Sequence, residues 1–252
     1  MRSLFQARVP ELPPTVEPVR TVFPMIEGAS MAAVFSGQRV AGDFYDALRA
    51  NSHRVLFGLL DVAGRREDTR GILIATQNIF RDMGRTLFSE PDVNESNAMT
   101  ELCHLLNRRI LEAAGGVRPC PGFLGCYNEQ LGTLCYNNAG HTPGLLRDHS
   151  GIVELTSTGL PLGLFSHATS DSPTVGLEPG AALLLVSRGV VEGKDKRKRD
   201  PEFGLGHVKE LFQDDPLSDP QALCTSILNA IGECQYTPVH DDQTALAFVR
   251  TA

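Results

Sequence analysis

Three short acidic motifs contain the residues best suited to chemistry: Gly42-Asp43-Phe44-Tyr45-Asp46, Asp61-Val62-Ala63-Gly64 and Asp241-Asp242-Gln243-Thr244. The second directly follows the apolar run 55–60, and the third precedes the apolar run 244–249. Carboxylates set at strand ends beside small residues can converge on one edge of a sheet. Grouped there they repel one another unless a cation sits between them, and hard cations such as Mg²⁺ or Mn²⁺ prefer oxygen ligands of this kind. Two such ions can hold a phosphoryl group and lower the pKa of a bridging water enough for it to attack phosphorus. A single aspartate beside glycine serves equally well as a turn former or helix cap, so the residues alone leave both uses open.

The elements that must position these motifs follow from periodicity. Residues 31–35 and 54–60 predict strands, the second apolar enough to be buried on both faces. Ile72, Ala75, Ile79, Met83 and Leu87 recur at helical spacing over 70–88. Met99, Leu102, Leu106 and Ile110 do so over 96–114, and Gly115-Gly116 ends that helix. Strands follow at 123–127, 133–137, 144–146, 152–155 and 181–186. Asp219 and Pro220 open a helix reaching about residue 234, and 244–249 closes the chain as a strand. Short turns between the middle strands favour antiparallel pairing over repeated βαβ units, which makes the class α+β with helices covering sheet faces. No P-loop or GxGxxG stands at a strand–helix junction, which disfavours a nucleotide-binding α/β domain.

Composition narrows the function classes. A chain of 252 residues buries enough surface to fold without disulfide or metal, and its 42% hydrophobic and 21% charged residues are those of a soluble globular protein. No apolar run approaches the ~20 residues of a membrane span. The N-terminus lacks the apolar core of a signal peptide, so the expected location is cytoplasmic. A net charge of −7 argues against nucleic acid as a ligand, because counterion release needs a basic face. The basic run 194–199 opposes that balance and reads either as a solvated loop or as a docking surface for an acidic partner. The six cysteines (103, 120, 126, 135, 224, 234) form no CxxC pair and the histidines no HxxxH pair, so zinc is not indicated and buried, reduced thiols are. Pro10, Pro13, Pro14, Pro18 and Pro24 make 1–27 an extended, proline-rich leader, with the folded domain expected over 28–252.

Taken in order, GDFYD, DVAG, Asn138-Ala139-Gly140-His141, the loop Gly159-Leu160-Pro161-Leu162-Gly163, the strand ending in Ser187-Arg188-Gly189, and DDQT resemble the motifs of the SpoIIE/RsbU-like branch of the metal-dependent PPM protein serine/threonine phosphatases. The resemblance spans about residues 28–250 and is specific through the order of its motifs rather than through any one of them. It implies an α-β-β-α sandwich, two antiparallel sheets flanked by helices, with a binuclear Mn²⁺/Mg²⁺ site at one end. It further implies hydrolysis of phosphoserine or phosphothreonine by direct attack of a metal-bound hydroxide, often on anti-anti-sigma-type regulatory proteins. Carried over by motif, Asp61 bridges both metals and the Val62 carbonyl binds one of them. Asp43 serves that same metal, directly or through water, and Asp241 serves the other. His141 takes a structural role. Neither nucleic acid nor membrane is expected as a partner. Residues 1–27 are too short and proline-rich for the sensor domain or coiled-coil linker of larger members, so control is expected from a separate chain, through the leader or the basic run.

Two departures from the family pattern bear on activity. Where the family has an acidic Thr-Asp-Gly, this chain has Ser187-Arg188-Gly189, which replaces a ligand of the second metal by a cation. Where Ser-Gly-His-Gly usually follows the bridging aspartate and its neighbour, this chain has Ala63-Gly64-Arg65-Arg66. Three readings stay open. Arg188 swings out and a weakened phosphatase survives. Alternatively, its guanidinium takes the second metal's place, holding phosphate or pairing with Asp241, to give a catalytically impaired pseudophosphatase that binds a regulatory phosphoprotein. In the third reading another carboxylate, Glu192 or Asp195, supplies the missing ligand. Arg65 and Arg66 join Arg188 as candidates for binding the substrate phosphate.

Overall fold

The computed structural model describes residues 20–37, 42–62, 64, 66–167, 170–192, 194–195, 203–217, 219–233, 236–237 and 242–251. Asp241, Arg65 and Cys234 lie outside them, as do 1–19 of the expected leader and 196–199 of the basic run.

The chain runs β1 (Ala29–Ser36), β2 (Gly42–Arg49), β3 (Arg54–Val62), α1 (Arg66–Leu87), α2 (Glu95–Ala114), β4 (Gly122–Asn128), β5 (Thr133–Ala139), β6 (Gly144–Asp148), β7 (Gly151–Leu155), β8 (Thr174–Gly176) and β9 (Ala182–Val186). It continues through α3 (Arg188–Val191), β10 (Lys194–Asp195), α4 (Gly204–Asp214), α5 (Pro220–Glu233), β11 (Tyr236–Thr237) and β12 (Gln243–Arg250). Two five-stranded sheets form, ordered β1-β12-β9-β6-β7 and β2-β3-β4-β5-β8, and β10 pairs with β11 apart from both. Every pairing within them is antiparallel.

Three apolar layers explain why β3 is buried at every position. Successive side chains of a strand point to opposite faces. Leu56 and Leu60 therefore pack with Ile72, Ile79 and Phe80 of α1 and Met99, Leu102 and Leu106 of α2, on the outside of the second sheet. Phe57 and Leu59 point the other way and meet Phe123, Leu183, Leu185, Leu246 and Phe248 between the sheets. On the far side Leu184, Val186 and Ala247 are covered by Val208 and Phe212 of α4 and Leu223 and Ile227 of α5. The result is the α-β-β-α sandwich expected from the sequence.

Several local features depart from the periodicity. GDFYD opens a strand, β2, that the periodicity did not predict and whose apolar face Phe44–Leu48 is interrupted by Asp46. That carboxylate is fully buried and accepts from Arg81 Nε and Nη2 at 2.6 and 2.9 Å, from Gln77 Nε2 at 3.2 Å and from Thr21 Oγ1 at 3.1 Å. Helix α1 begins at Arg66, four residues before the expected start at residue 70. Helix α4 follows the basic run and was not expected. Helix α2 ends as expected, Gly115 taking φ 63° and donating its N–H to Glu112 O. Residues 20–27 pack along β2, with Phe23 stacked on Tyr45 at 6.2 Å.

Candidate active site

The register of the strands brings the motifs to one end of the sandwich. Asp43 and Asp61 are direct partners across the β2–β3 pair, so their side chains leave the same face of that sheet. Position 42 must be small there, because a Cβ on Gly42 would lie 2.8 Å from the Val62 carbonyl oxygen. From the other sheet, β9 ends and β12 begins side by side: Ser187 N–H donates to Thr244 O at 2.9 Å, and Thr244 N–H donates to Ser187 Oγ at 3.0 Å. Thr244 Oγ1 then donates to Asp43 Oδ2 at 2.6 Å, tying the two sheets together through the candidate site.

Asp43 sits in an unusual field. Burial pushes its carboxyl up to about 7; hydrogen bonds from Thr244 and Ser187 oppose the push, while the charges of Asp61 and Asp242 add to it. Part of Asp43 still reaches solvent. Asp242 is 3% exposed, so the site gathers a third carboxylate that the sequence reading did not single out. Ser187 and Thr244, both fully buried, were missed as positioning residues, although each stands inside a motif already quoted.

Arg188 lies within this group. Its Nε is 3.5 Å from Asp61 Oδ2 and 3.8 Å from Glu192 Oε2, with 49% of its side chain exposed. The guanidinium thus faces the expected bridging aspartate, rather than swinging clear of it. Asp241 lies outside the described residues, and so does Arg65, while Arg66 is described only as the first residue of α1. Glu192 caps α3 and sits beside Arg188; Asp195 falls in β10, which pairs with β11.

Among the described residues no group of three or more His, Cys, Asp or Glu is arranged to hold a metal ion. The oxygen donors that face each other are Asp43 and Asp61, direct partners across the β2–β3 pair, with Val62 opposite Gly42 next to them in the same register. This set fits one hard divalent cation. On the Arg188 side the positive charge 3.5 Å from Asp61 fits a second one poorly.

His141 is 6% exposed, and burial holds its imidazole down at about 4. The backbone N–H of His141 donates to Asn138 Oδ1 at 2.8 Å, and its ring Nδ1 meets Thr142 O at 3.1 Å. The neighbouring Thr142 Oγ1 donates to Val186 O, the last carbonyl of β9. The histidine therefore fastens the 138–141 turn beside the strand that delivers Ser187 and Arg188. Cysteines 103, 120, 126, 135 and 224 are free and buried. No helix among the described residues is long and apolar enough to cross a membrane.

Comparison with known proteins agrees with this architecture. Protein IcfG of Synechocystis sp. (strain ATCC 27184 / PCC 6803 / Kazusa) is 24% identical over 90% of this chain, which spans 39% of the length of IcfG. The solved RsbU and RsbW domains of Rv1364c from Mycobacterium tuberculosis superpose with a TM-score of 0.75 at 21% identity, over 91% of this chain and 62% of that one. The PP2C phosphatase domain of the cell fate determinant SpoIIE from Bacillus subtilis gives 0.70 at 16% identity, over 88% and 63%. RsbX, solved in complex with magnesium, gives 0.61 at 12% identity, over 91% and 99%. Residues 51–251 match the family of Stage II sporulation protein E, and the chain belongs to that SpoIIE family of PPM/PP2C-type phosphatase domains.

Proposed function

We propose that this chain is a metal-dependent protein serine/threonine phosphatase whose power is reduced by Arg188. The observation that carries the reading is the cross-strand pair Asp43–Asp61 at the shared end of the two sheets, in a chain of the SpoIIE family. Asp43, Asp61 and the Val62 carbonyl are the residues that would hold Mn²⁺ or Mg²⁺, and magnesium in the RsbX complex supports that choice. Asp241 is assigned by its motif to a second ion. Such an ion supplies Lewis acidity to the phosphoryl oxygens and a nucleophilic water at neutral pH. The chain's own residues do the rest. Thr244 and Ser187 hold Asp43 in one orientation and favour its ionised form, Asp61 offers its oxygens across from it, and Arg188 withholds one of those oxygens. The expected substrate is a phosphorylated regulatory protein of the anti-anti-sigma kind, with Arg65, Arg66 or Arg188 against its phosphate.

The ion pair of Arg188 with Asp61 also favours a second reading. A guanidinium can bind phosphate bidentately, yet it cannot generate a nucleophile, so the same fold would serve as a binding module for a phosphoprotein. Hydrolysis of p-nitrophenyl phosphate and of a phosphoserine peptide, titrated with Mn²⁺ and Mg²⁺ beside Asp61→Ala, separates the two. Metal-dependent turnover lost in Asp61→Ala supports the enzyme. No turnover at any metal concentration by folded protein supports the binding module.

A further inference from the structure

The guanidinium of Arg188 has a carboxylate on each side. Its Nε lies 3.5 Å from Asp61 Oδ2, inside the candidate site, and 3.8 Å from Glu192 Oε2, outside the donor set described above. One nitrogen therefore stands between a carboxylate that a cation would need and a carboxylate that it would not. The side chain of Asp61 is 11% exposed and that of Glu192 45%, so the outer partner is the more solvated of the two. Arg188 brings one positive charge to this rim and Glu192 one negative, and the two together add no net charge. A guanidinium drawn toward Asp61 repels a cation there, whereas one drawn toward Glu192 is partly neutralised and farther away.

The backbone keeps the roots of both side chains fixed. Arg188 opens α3 and Glu192 follows its last residue, one turn on, where side chains four apart meet on a helix surface. Glu192 N–H donates to Arg188 O at 2.9 Å and Val190 N–H to Ser187 O at 3.0 Å, which closes the turn. Val190 is fully buried in the layer that α4 and α5 cover. Gly189 O accepts from Gln243 Nε2 at 3.3 Å, so the turn is fastened to the start of β12, the strand that also positions Thr244. When the guanidinium leaves Asp61 the turn does not have to follow, and Glu192 stays within reach whatever else the guanidinium touches.

We propose that Glu192 is a positioning residue for the metal site: it takes the Arg188 guanidinium off Asp61 when a divalent cation loads, and so restores part of the affinity that the arginine removes. Glu192 acts through Arg188 and is not itself a ligand. The inference rests on the metal-dependent reading above, and its test reads ion binding and side-chain position rather than turnover. Mn²⁺ is titrated calorimetrically into wild type, Glu192→Gln, Arg188→Ala and the double variant, each checked for folding by circular dichroism. Both side chains are about half exposed, so the variants should fold. Glu192→Gln should weaken binding, and should do so about two- to fivefold more with Arg188 present than in Arg188→Ala, the range of an exposed ion pair. Glu192→Asp should recover part of the loss. In a crystal structure of the wild type loaded with Mg²⁺, the guanidinium should pair with Glu192 and stand clear of Asp61. A loss from Glu192→Gln that is the same with and without Arg188 overturns the proposal, because Glu192 would then act on the ion directly, as a ligand or a distant charge. A guanidinium that stays on Asp61 beside the ion overturns it too. No Mn²⁺ binding by any of the four proteins defeats the metal-dependent reading and this inference with it; binding in which the two substitutions are independent defeats this inference alone.

Discussion

On the proposed metal-dependent reading Arg188 should lower the affinity of the site for a divalent ion, and its geometry gives the size of the effect. With Nε 3.5 Å from Asp61 Oδ2, the bare Coulomb attraction is about 5 kcal/mol at an effective dielectric of 20. Half of the side chain is in water, so the pair itself stabilises the fold by no more than about 1 kcal/mol. The cost to a dication is larger because its charge is double. A divalent ion on the Asp61 oxygens would stand roughly 5 Å from the guanidinium, and at a dielectric of ~40 the repulsion is about 3 kcal/mol. That corresponds to about a hundredfold in dissociation constant. Isothermal titration of Mn²⁺ into wild type, Arg188→Lys, Arg188→Ala and Arg188→Asp at pH 8 should show no gain for lysine, a gain of tens- to a hundredfold for alanine and a larger one for aspartate. Turnover of a phosphoserine peptide at limiting Mn²⁺ should rise in the same order. Four dissociation constants within threefold of one another would refute the idea that the guanidinium competes with the ion.

Other perturbations probe the framework. The carboxyl of Asp43 is raised from 3.8 to about 7, so its contribution to stability is complete below 3.8 and lost as pH rises through 7. In EDTA, Asp43→Asn should therefore be more stable than wild type at pH 8, by about 2–4 kcal/mol, with the gap closing toward pH 4; a gap that ignores pH in urea melts counts against the assigned field. The imidazole of His141 is lowered from 6.5 to about 4, so its contribution is complete above 6.5 and falls away toward 4. His141→Gln should lose about 3 kcal/mol less than wild type between pH 7 and 4, and parallel pH profiles would contradict that. Asp46→Ala strands the Arg81 guanidinium, 19% exposed, against a buried face. The expected cost is about 3–5 kcal/mol, read as a drop of roughly 10 °C in Tm without change in metal affinity.

The α+β class was legible because β3, β4, β9 and β12 carry apolar runs and α1 and α2 carry clean helical stripes, whereas the two-sheet sandwich was implied by the resemblance of the motifs. Strand β2 was not legible, because Asp46 breaks its pattern and its partner Arg81 lies 35 residues away. That Asp43 and Asp61 belong near one another was implied by the resemblance of their motifs, but their direct pairing across β2 and β3 was not. The role of Thr244 and Ser187 as hydroxyl donors could not, since it depends on which rim atoms the two sheets bring within reach.

The sequence offered Arg188 either a path into solvent or a partnership with Asp241, whereas the structure sets it against Asp61. That difference changes what the substitution means. A guanidinium on Asp241 would block only the second ion and leave the first untouched. A guanidinium on Asp61 would compete with any ion that this carboxylate holds, so in the proposed site metal loading and the ion pair would be alternative states of one carboxylate. The equilibrium between them shifts only by the difference in their interaction with Asp61. Because half of Arg188 is solvated, releasing it to water costs no more than about 1 kcal/mol, so the repulsion of about 3 kcal/mol is the limit reached only while the guanidinium stays in place. The site should then load at high divalent concentration rather than stay closed to metal, which separates a weakened phosphatase from a permanent pseudophosphatase: the former gains turnover without saturation up to millimolar Mn²⁺, the latter at no concentration.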